Sequence, residues 1–482
     1  MARERTFLAR LASNTAIGFV GNVIQRGLSF IATLILARGL GGEGFGLYSY
    51  VVSYMFLFAF LGDLGVERVV TREVARDPAR AGELLGSALV VKLALSGLAM
   101  IAAVATALAI GMERAAFHCV VLASLGLPMS IELIFRGYFQ SRYQVAYTYA
   151  INLPTTLIFI AGALAVVALG LPVYALFIVG LATAPLILAA LFWLSRYRMQ
   201  LRFEPRWRTM RGMLRDSAAL GGFIFLFALS MRLDQLMLHH LSGDLAVGWY
   251  AVGVRLSEAL GLVPEALMMT LFPLLVSSEH AAPERFHHTY RLGFKYLAAA
   301  SVLFATLLTI LREPVVVLLF GPDYVPAAPS LAVLAWNMFF GYLGVIYLSL
   351  FIAQARQRLL LFVSAVALAV NIVLNLLWIP PYGATGAAAA TLAANAAGFA
   401  CWLILIETRP YMITCMRESW RSLAAAGIVA LGLWESGISG MPAGLLFVAL
   451  YPALLWVLGG VLWSDVHLVQ RLFATQNAQG VS

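Results

Sequence analysis

The residues of this sequence most able to do chemistry are charged side chains placed inside long apolar runs. Arg232, Asp234, Arg255 and Glu258 lie on the two sides of a short polar turn near residue 244. Charges are costly inside a membrane, where they normally face a partner or a water-filled cavity. Guanidinium groups in a cavity bind phosphate-like anions, and a neighbouring carboxylate can exchange protons or ions. The pattern therefore indicates either a neutral ion-pair network or an anion site.

The same turn predicts how these charges pair. In a helical hairpin, positions equally distant from the turn lie at similar depth, which places Asp234 opposite Arg255 and Arg232 opposite Glu258. Arg255 and Glu258 are also i,i+3 neighbours, and Glu265 continues their face seven residues on. Two alternatives stay open. The network either only neutralises charge between two helices, or it opens to a cavity where the two arginines contact an anionic head group and the three acids couple transport to an ion.

Arg26 differs because no acidic residue is available at its depth. Its mirror position in the first predicted hairpin falls near Phe56 and Leu57, and about 12 residues from the outer end of its helix it lies about 18 Å deep. Arg26 belongs to a polar stripe at helical spacing, which must face protein or water rather than lipid. The residues of the stripe are Thr15, Gly18, Asn22, Gln25, Arg26, Ser29 and Thr33. Either a partner on another helix meets Arg26, or Asn22, Arg26 and Ser29 line a cavity that receives an anionic head group.

The composition is typical of a membrane protein. Apolar residues make up 62% of the 482 residues, charged residues 11%, and the mean hydropathy is +0.89, whereas soluble domains average about 45–50% apolar and about 25% charged. This excludes a lone soluble domain, a disordered chain and a disulfide scaffold. We predict an all-α polytopic membrane protein with about 14 transmembrane helices of about 20 residues each. The predicted spans are 13–37, 45–62, 84–110, 115–135, 146–169, 172–194, 217–241, 248–277, 290–311, 327–353, 359–379, 384–406, 422–434 and 442–463.

The distribution of basic residues predicts the orientation of the chain. With the N-terminus inside, the cytoplasmic segments carry twenty-five of the 32 lysines and arginines, and the outer segments carry three. Cytoplasmic loops of membrane proteins are enriched in basic residues, so both termini are predicted to be cytoplasmic. The net charge of +9 does not indicate a nucleic-acid partner, because the basic residues stand singly or in small groups between apolar runs.

An internal repeat predicts how the spans are grouped. Residues 40–48 and 241–250 both contain Leu-x-Gly-acid followed by Gly-x-Tyr, if one gap is allowed. Because the repeat begins again at span seven, we predict two six-helix lobes with a substrate site between them. The segment between the lobes carries seven arginines and is either held by anionic lipid or a solvated linker. The predicted parts are an N-terminal lobe 1–195, a basic cytoplasmic linker 196–216, a C-terminal lobe 217–406, and two extra helices with a cytoplasmic tail 407–482.

The motifs for enzyme chemistry are weak. Residues 39–44 match GxGxxG, but they follow a membrane span instead of a strand. Glu284, His287 and His288 lie close together without further ligands, and this favours an exposed loop over a metal site. We therefore expect no enzymatic activity, no cofactor and no metal.

Several stretches also resemble a known family of membrane transporters. Residues 37–48 followed by Gly62-Asp63-Leu64-Gly65-Val66 are similar to the N-terminal signature of Wzx-type polysaccharide flippases in the multidrug/oligosaccharidyl-lipid/polysaccharide (MOP) exporter superfamily. The resemblance covers residues 8–406 in the family's order. Its later stretches are residues 233–238, 247–250, 271–273, 320–324, 371–375 and 379–388.

The resemblance implies a fold like that of the multidrug (MATE) exporters and a transport function. It implies a flippase that moves a polyprenyl-pyrophosphate-linked oligosaccharide, for O-antigen and lipopolysaccharide, capsule or exopolysaccharide, to the outer leaflet of the bacterial inner membrane. Its partners would be the lipid-linked oligosaccharide, membrane lipids and polysaccharide polymerase or assembly proteins. The alternatives are a lipid II flippase, a cation-coupled drug exporter, a membrane glycosyltransferase or polymerase, and a structural scaffold.

Overall fold

A computed structural model describes residues 2–198, 202–278, 282–354 and 356–460, without the side chains of 2–16, 198, 218–224, 227 and 357. Within these ranges the chain forms α-helices and no strand. The side chain of Thr15 and residues 461–482, which hold the end of the predicted span 442–463 and the predicted tail, lie outside the described residues. The prediction of an all-α fold is confirmed. The helices are α1 (Ala2–Leu61), α2 (Val66–Arg76), α3 (Ala81–Ala109), α4 (Arg114–Ser124), α5 (Glu132–Ser141), α6 (Ala146–Ala168), α7 (Tyr174–Trp193), α8 (Trp207–Leu260), α9 (Leu262–Ser278), α10 (Pro283–Ile310), α11 (Arg312–Phe320), α12 (Ala328–Ala353), α13 (Gln357–Ile404), α14 (Arg409–Glu435) and α15 (Gly440–Val457).

Three of these helices are too long for one crossing of a membrane. The apolar part of α1, Ile17–Leu61, has 45 residues, which at 1.5 Å per residue is about 68 Å and more than twice the hydrocarbon thickness of about 30 Å. Each long helix is kinked at a glycine with positive φ, a conformation that glycine adopts without a steric penalty. The kinks lie at Gly41, Gly243 and Gly383, where the predicted hairpins turn.

The helices account for the fourteen predicted spans. Nine helical segments of the described chain are long and apolar enough to cross a membrane, and the three kinked ones each contain two predicted spans. The predicted span 422–434 forms part of α14. The predicted span 115–135 is divided between α4 and α5. The polytopic membrane fold is therefore confirmed, with one span broken in its middle.

The chain groups into two compact units, Met1–Ala251 and Val252–Ser482. In the first unit, valines of α2 and leucines of α3 pack on Ile134 and Phe135 of α5. In the second unit, small residues of α14 pack against α10 and the aromatic face of α15. The predicted division into two lobes, a linker and two extra helices is based on the internal repeat, and it stays a prediction.

The two repeated turns lie against each other within the first unit. A Cβ atom on Gly46 would come within 1.8 Å of the carbonyl oxygen of Asp244, and one on Gly248 within 2.3 Å of the carbonyl oxygen of Gly42. When the two turns are aligned without a gap, Asp244 corresponds to Gly42 and Gly248 to Gly46, so the two close approaches are equivalent. This alignment also matches the kink residue of α1 with that of α8, without the gap that the sequence comparison needed. The two turns therefore pack as equivalent elements, and glycine is required where their backbones meet.

We expect Gly248→Ala to destabilise the protein, because the added methyl group would overlap the backbone of Gly42. Overpacking of this kind costs about 1–3 kcal/mol. Gly97→Ala is the matched control, since a Cβ there meets nothing within 4 Å and alanine favours the helix. The measurement is the thermal unfolding midpoint of both variants in detergent. Equal midpoints for the two variants would contradict the close packing of the turns.

Candidate functional site

The first half of α1 has an apolar face that suits contact with lipid. Ile17, Val20, Ile24 and Ile31 are all exposed, and at 100° per residue they lie on one side of the helix. Large apolar side chains without protein cover fit the hydrocarbon of a bilayer. The directions of the other faces of α1 are described relative to this apolar face.

A second face of α1 packs against α6. Gly21 lies under the ring of Tyr149, where an added Cβ would come within 2.5 Å of the ring atoms. Gln25 Nε2 donates a hydrogen bond to Thr156 Oγ1 at 2.6 Å. Gln25, which the sequence placed on the polar stripe, therefore belongs to the packed face.

The third face carries the predicted head-group residues. Asn22 and Arg26 are half-buried, Ser29 is exposed, and the hydroxyl of Thr33 donates to the carbonyl oxygen of Ser29 at 3.0 Å. By helical geometry this face points away from the exposed apolar face. The structure thus puts Asn22, Arg26 and Ser29 together on one side of α1, where the exposed ring of Phe19 also lies, and their contact with a head group stays a prediction.

Arg232 of α8 lies against the second half of α1, and Asp234 is held by a contact within α8. Asp234 is 6% exposed and accepts a hydrogen bond from the hydroxyl of Tyr250 at 2.7 Å. The guanidinium carbon of Arg232 lies 4.9 Å from the centroid of the Phe56 ring, within the range of a cation–π interaction. These contacts hold both side chains inside the first unit. The predicted cross-hairpin pairs, with Arg255 and Glu258, stay a prediction.

Arg255 and Glu258 form an ion pair on their own helix. Arg255 Nη1 lies 2.9 Å from Glu258 Oε2, and both side chains keep part of their surface exposed. A turn at Gly261 separates α8 from α9, so the exposed Glu265 stands on a different helix from the pair. The pair matches the i,i+3 spacing, whereas the face that was expected to run on to Glu265 is interrupted.

A ring cluster beside the α8 kink was missed by the sequence analysis. The ring of His239 stacks on that of Tyr50 with centroids 3.6 Å apart, and His239 Nδ1 lies 2.6 Å from Asp244 Oδ1. Asp244 follows the kink residue Gly243, so only the bend in the backbone brings its carboxylate back to the histidine. The sequence spacing alone carries no signal for this contact.

Two ion pairs join α3 and α5 to residues 63 and 67. Lys92, only 1% exposed, donates to Asp63 Oδ1 at 3.3 Å. Arg136 makes two hydrogen bonds to Glu67, at 2.6 and 2.7 Å, and this bidentate geometry is the strongest that the two groups form. The side chain of Lys92 is therefore both buried and paired.

The basic linker is docked onto the start of α3. Arg206 lies 3.5 Å from Glu83, and the hydroxyl of Thr209 donates to the same carboxylate at 2.5 Å. Asp216, at the end of the linker, lies 2.7 Å from Arg72 of α2. The pKa of Arg72 is raised mainly by its hydrogen bond to Glu73 and to a smaller degree by its hydrogen bond to Asp216. The Arg206–Glu83 pair uses part of the linker's basic charge within the protein, whereas in the Arg72–Asp216 pair the linker supplies the acidic residue.

Comparison with protein families gives two matches. Residues 11–279 match the model of a family described as polysaccharide biosynthesis protein, and residues 221–377 match the family model called MatE. A probable low-salt glycan biosynthesis flippase, Agl15 of Haloferax volcanii, is 22% identical over 388 residues, covering 79% of this chain and 80% of that protein.

Solved structures with the same fold are also transporters. The lipid II flippase MurJ in an inward closed conformation has a TM-score of 0.68 at 13% identity and covers 93% of this chain and 98% of its own. An inward-facing MATE family multidrug transporter of the MOP superfamily has a TM-score of 0.59 at 16% identity, covering 82% and 94%. A MOP superfamily transporter from Pyrococcus furiosus has a TM-score of 0.58 at 14% identity, covering 86% and 96%. At these identities the likeness shows the fold.

The buried pair of Lys92 and Asp63 gives a test of the charge pairing. We expect Lys92→Met to destabilise the protein by about 3 kcal/mol, because it leaves a carboxylate without its cation in a poorly solvated place. Adding Asp63→Asn should restore most of the loss. The measurement is the unfolding midpoint in detergent for the single and double variants.

The control for this test is Arg76→Met. Arg76 is 73% exposed and lies 3.5 Å from Glu73, and exposed pairs contribute about 0–1 kcal/mol. Equal losses for Lys92→Met and Arg76→Met, or a double variant no better than Lys92→Met, would contradict the burial of the pair.

Proposed function

Because the chain belongs to the family of polysaccharide biosynthesis proteins, we propose that this MOP-superfamily flippase moves a polyprenyl-pyrophosphate-linked oligosaccharide from the cytoplasmic to the outer leaflet. The observation that carries the proposal is the polar face of α1. Arg26 lies there at about mid-membrane depth, half-buried and turned away from the exposed apolar face. An arginine in this position suits a phosphate group that must cross the hydrocarbon.

The chemistry of the substrate explains why such a face is needed. An ionised pyrophosphate and a hydroxyl-rich glycan lose their hydration in hydrocarbon, and the cost for a charged group is many kcal/mol unless it is paired. Arg26 supplies a guanidinium for the phosphates, and Asn22 and Ser29 supply an amide and a hydroxyl for sugar groups. The polyprenyl chain needs no polar partner and stays in the bilayer.

The charged residues of α8 complete the proposed machinery. Arg232 and Arg255 are assigned as further head-group contacts. Asp234, Glu258 and Glu265 are assigned to the network that links these cations or couples transport to an ion. Two observations support these roles: Tyr250 holds Asp234 in a buried position, and Arg255 and Glu258 remain partly exposed.

The second candidate function is transport of lipid II, and the fold of the lipid II flippase MurJ favours it. Lipid II is also a polyprenyl pyrophosphate, so the same residues would serve. A drug exporter would favour an acidic or apolar cavity over one that contains Arg26. We further propose a location in the bacterial inner membrane with both termini cytoplasmic, and polymerase or assembly proteins as partners, on the basis of the arginine distribution and the family.

The direct test is translocation by the purified protein in liposomes that contain a fluorescent polyprenyl-pyrophosphate oligosaccharide. We expect Arg26→Ala to lower the initial rate at least about tenfold, because one charge-assisted contact contributes about 1.5–3 kcal/mol. Arg26→Lys should keep part of the rate, since the charge remains but the bidentate geometry is lost.

The control is Arg312→Ala, which removes an exposed outer arginine next to Glu313. It should translocate at the unmodified rate. If Arg26→Ala also translocates at that rate, Arg26 makes no head-group contact. If the unmodified protein moves lipid II but no other glycan, the second candidate replaces the first. If it moves only a cationic dye, neither flippase function holds.

A further inference from the structure

The fourth predicted span is broken in the middle of the membrane. Helix α4 ends at Ser124 and α5 begins at Glu132, and Pro128 has no N–H to donate. The residues between them form short turns, with Gly126 N donating to Ala123 O at 3.0 Å and Ser130 N to Leu127 O at 3.1 Å. Irregular backbone at membrane depth occurs where it is buried in protein or lines a wet cavity. In transporters, broken helices of this kind mark sites for substrates or coupling ions.

Two cavities of the first unit meet at this break. A cavity of about 270 Å³ has a mostly apolar lining that includes the polar side chains of Tyr48, Ser130 and Thr183, and a cavity of about 100 Å³ is lined by Arg136 and other residues of α5 and α6. Glu132 lines both. In the predicted orientation the larger cavity lies toward the outside and the smaller toward the cytoplasm. The Glu132 carboxylate is therefore the ionisable group that both cavities share.

The nearby cations are bound to other carboxylates. Lys92 donates to Asp63 at 3.3 Å, and Arg136 makes its two hydrogen bonds to Glu67. With Glu132 included, the cluster has three carboxylates and two cations, so full ionisation leaves one negative charge in excess. Addition of one proton to Glu132 makes the cluster neutral. The charged groups that act on Glu132 are Lys92 from α3, Arg136 from α5 and Glu67 from α2.

The smaller cavity is polar enough to hold water. Thr148 Oγ1 is buried and, within the described part of the chain, has no hydrogen-bond partner. Thr148 lines the smaller cavity together with Asn152. A buried hydroxyl normally has a partner, and water in a polar cavity supplies one. Water beside Glu132 would provide a route for protons toward the cytoplasm.

We propose that Glu132 is a proton-carrying site that couples a proton gradient to transport. A proton from water in the larger cavity adds to a carboxylate oxygen, and the resulting carboxylic acid returns the proton to water in the smaller cavity, which regenerates the carboxylate. A proton suits the site better than a metal cation, because Lys92 and Arg136 stand nearby and repel a fixed positive ion. The coupling part of this proposal rests on the transport function proposed above.

The first test measures protonation without transport. A hydrophobic carbodiimide reacts with the acid form of a carboxyl group, and the site of reaction is found by mass spectrometry of the intact protein in membranes. We expect Glu132 to be labelled several-fold more at about pH 6 than at about pH 9. Glu67 is the internal control, because both of its carboxylate oxygens accept hydrogen bonds from Arg136. Absence of label on Glu132 at every pH, or equal label on Glu67, would overturn the assignment.

The second test uses liposomes with an imposed pH gradient. We expect the gradient to accelerate lipid translocation by the unmodified protein. In Glu132→Gln this acceleration should be smaller by a factor of about five or more, and Glu132→Asp should keep part of it. An unchanged response of Glu132→Gln overturns the proposal, as does a Glu132-dependent response to a sodium gradient instead. If the unmodified protein moves no lipid while the pH-dependent label on Glu132 persists, the proposed function fails and the proton site stands.

Discussion

A polar group inside hydrocarbon must be paired or must face water, and the arrangement of this protein follows from that constraint. The first half of α1 divides into an exposed apolar face, a face packed on α6 and a polar face that contains Arg26. The same constraint explains why Lys92 is buried against Asp63 and why Arg136 has both of its hydrogen bonds on one carboxylate. Arg26 stays partly accessible on the polar face of α1, and its contact with a substrate is the role that we propose for it.

Glycine permits the hairpins that bring these groups together. The kinks at Gly41 and Gly243 have nearly the same backbone conformation, and the turns that contain them touch backbone to backbone. The kink at Gly243 lets Tyr250 reach Asp234 within α8, and Phe56 of α1 lies against Arg232 of α8. The internal repeat is thus visible both in sequence and in the contact between its copies.

The sequence predicted the helical fold because membrane spans depend on local hydrophobicity, and it predicted the hairpins from short polar turns between apolar runs. It did not predict the pairs formed across the fold. Glu67 and Arg136 are 69 positions apart, and nothing local indicates their contact. For Glu132 a signal was present, since a carboxylate close to Pro128 interrupts an apolar run, but only the structure shows the break and the two cavities. The roles of Arg26, Asn22 and Ser29 depend on whether water reaches them. Hydrophobic periodicity indicates which side of the helix these residues lie on, but it does not indicate whether that side meets water.

The measurement that tests the account most directly is water access along α1 in native membranes. Single cysteines would replace Asn22, Ser29, Val20 and Ile24 in turn, in a protein whose own three cysteines are replaced, and each would be exposed to a charged thiol reagent. The account predicts fast reaction at Asn22→Cys and Ser29→Cys and none at Val20→Cys and Ile24→Cys, because only the polar face meets water. Equal reaction on both faces, or reaction only on the apolar face, would contradict a polar transport path along α1.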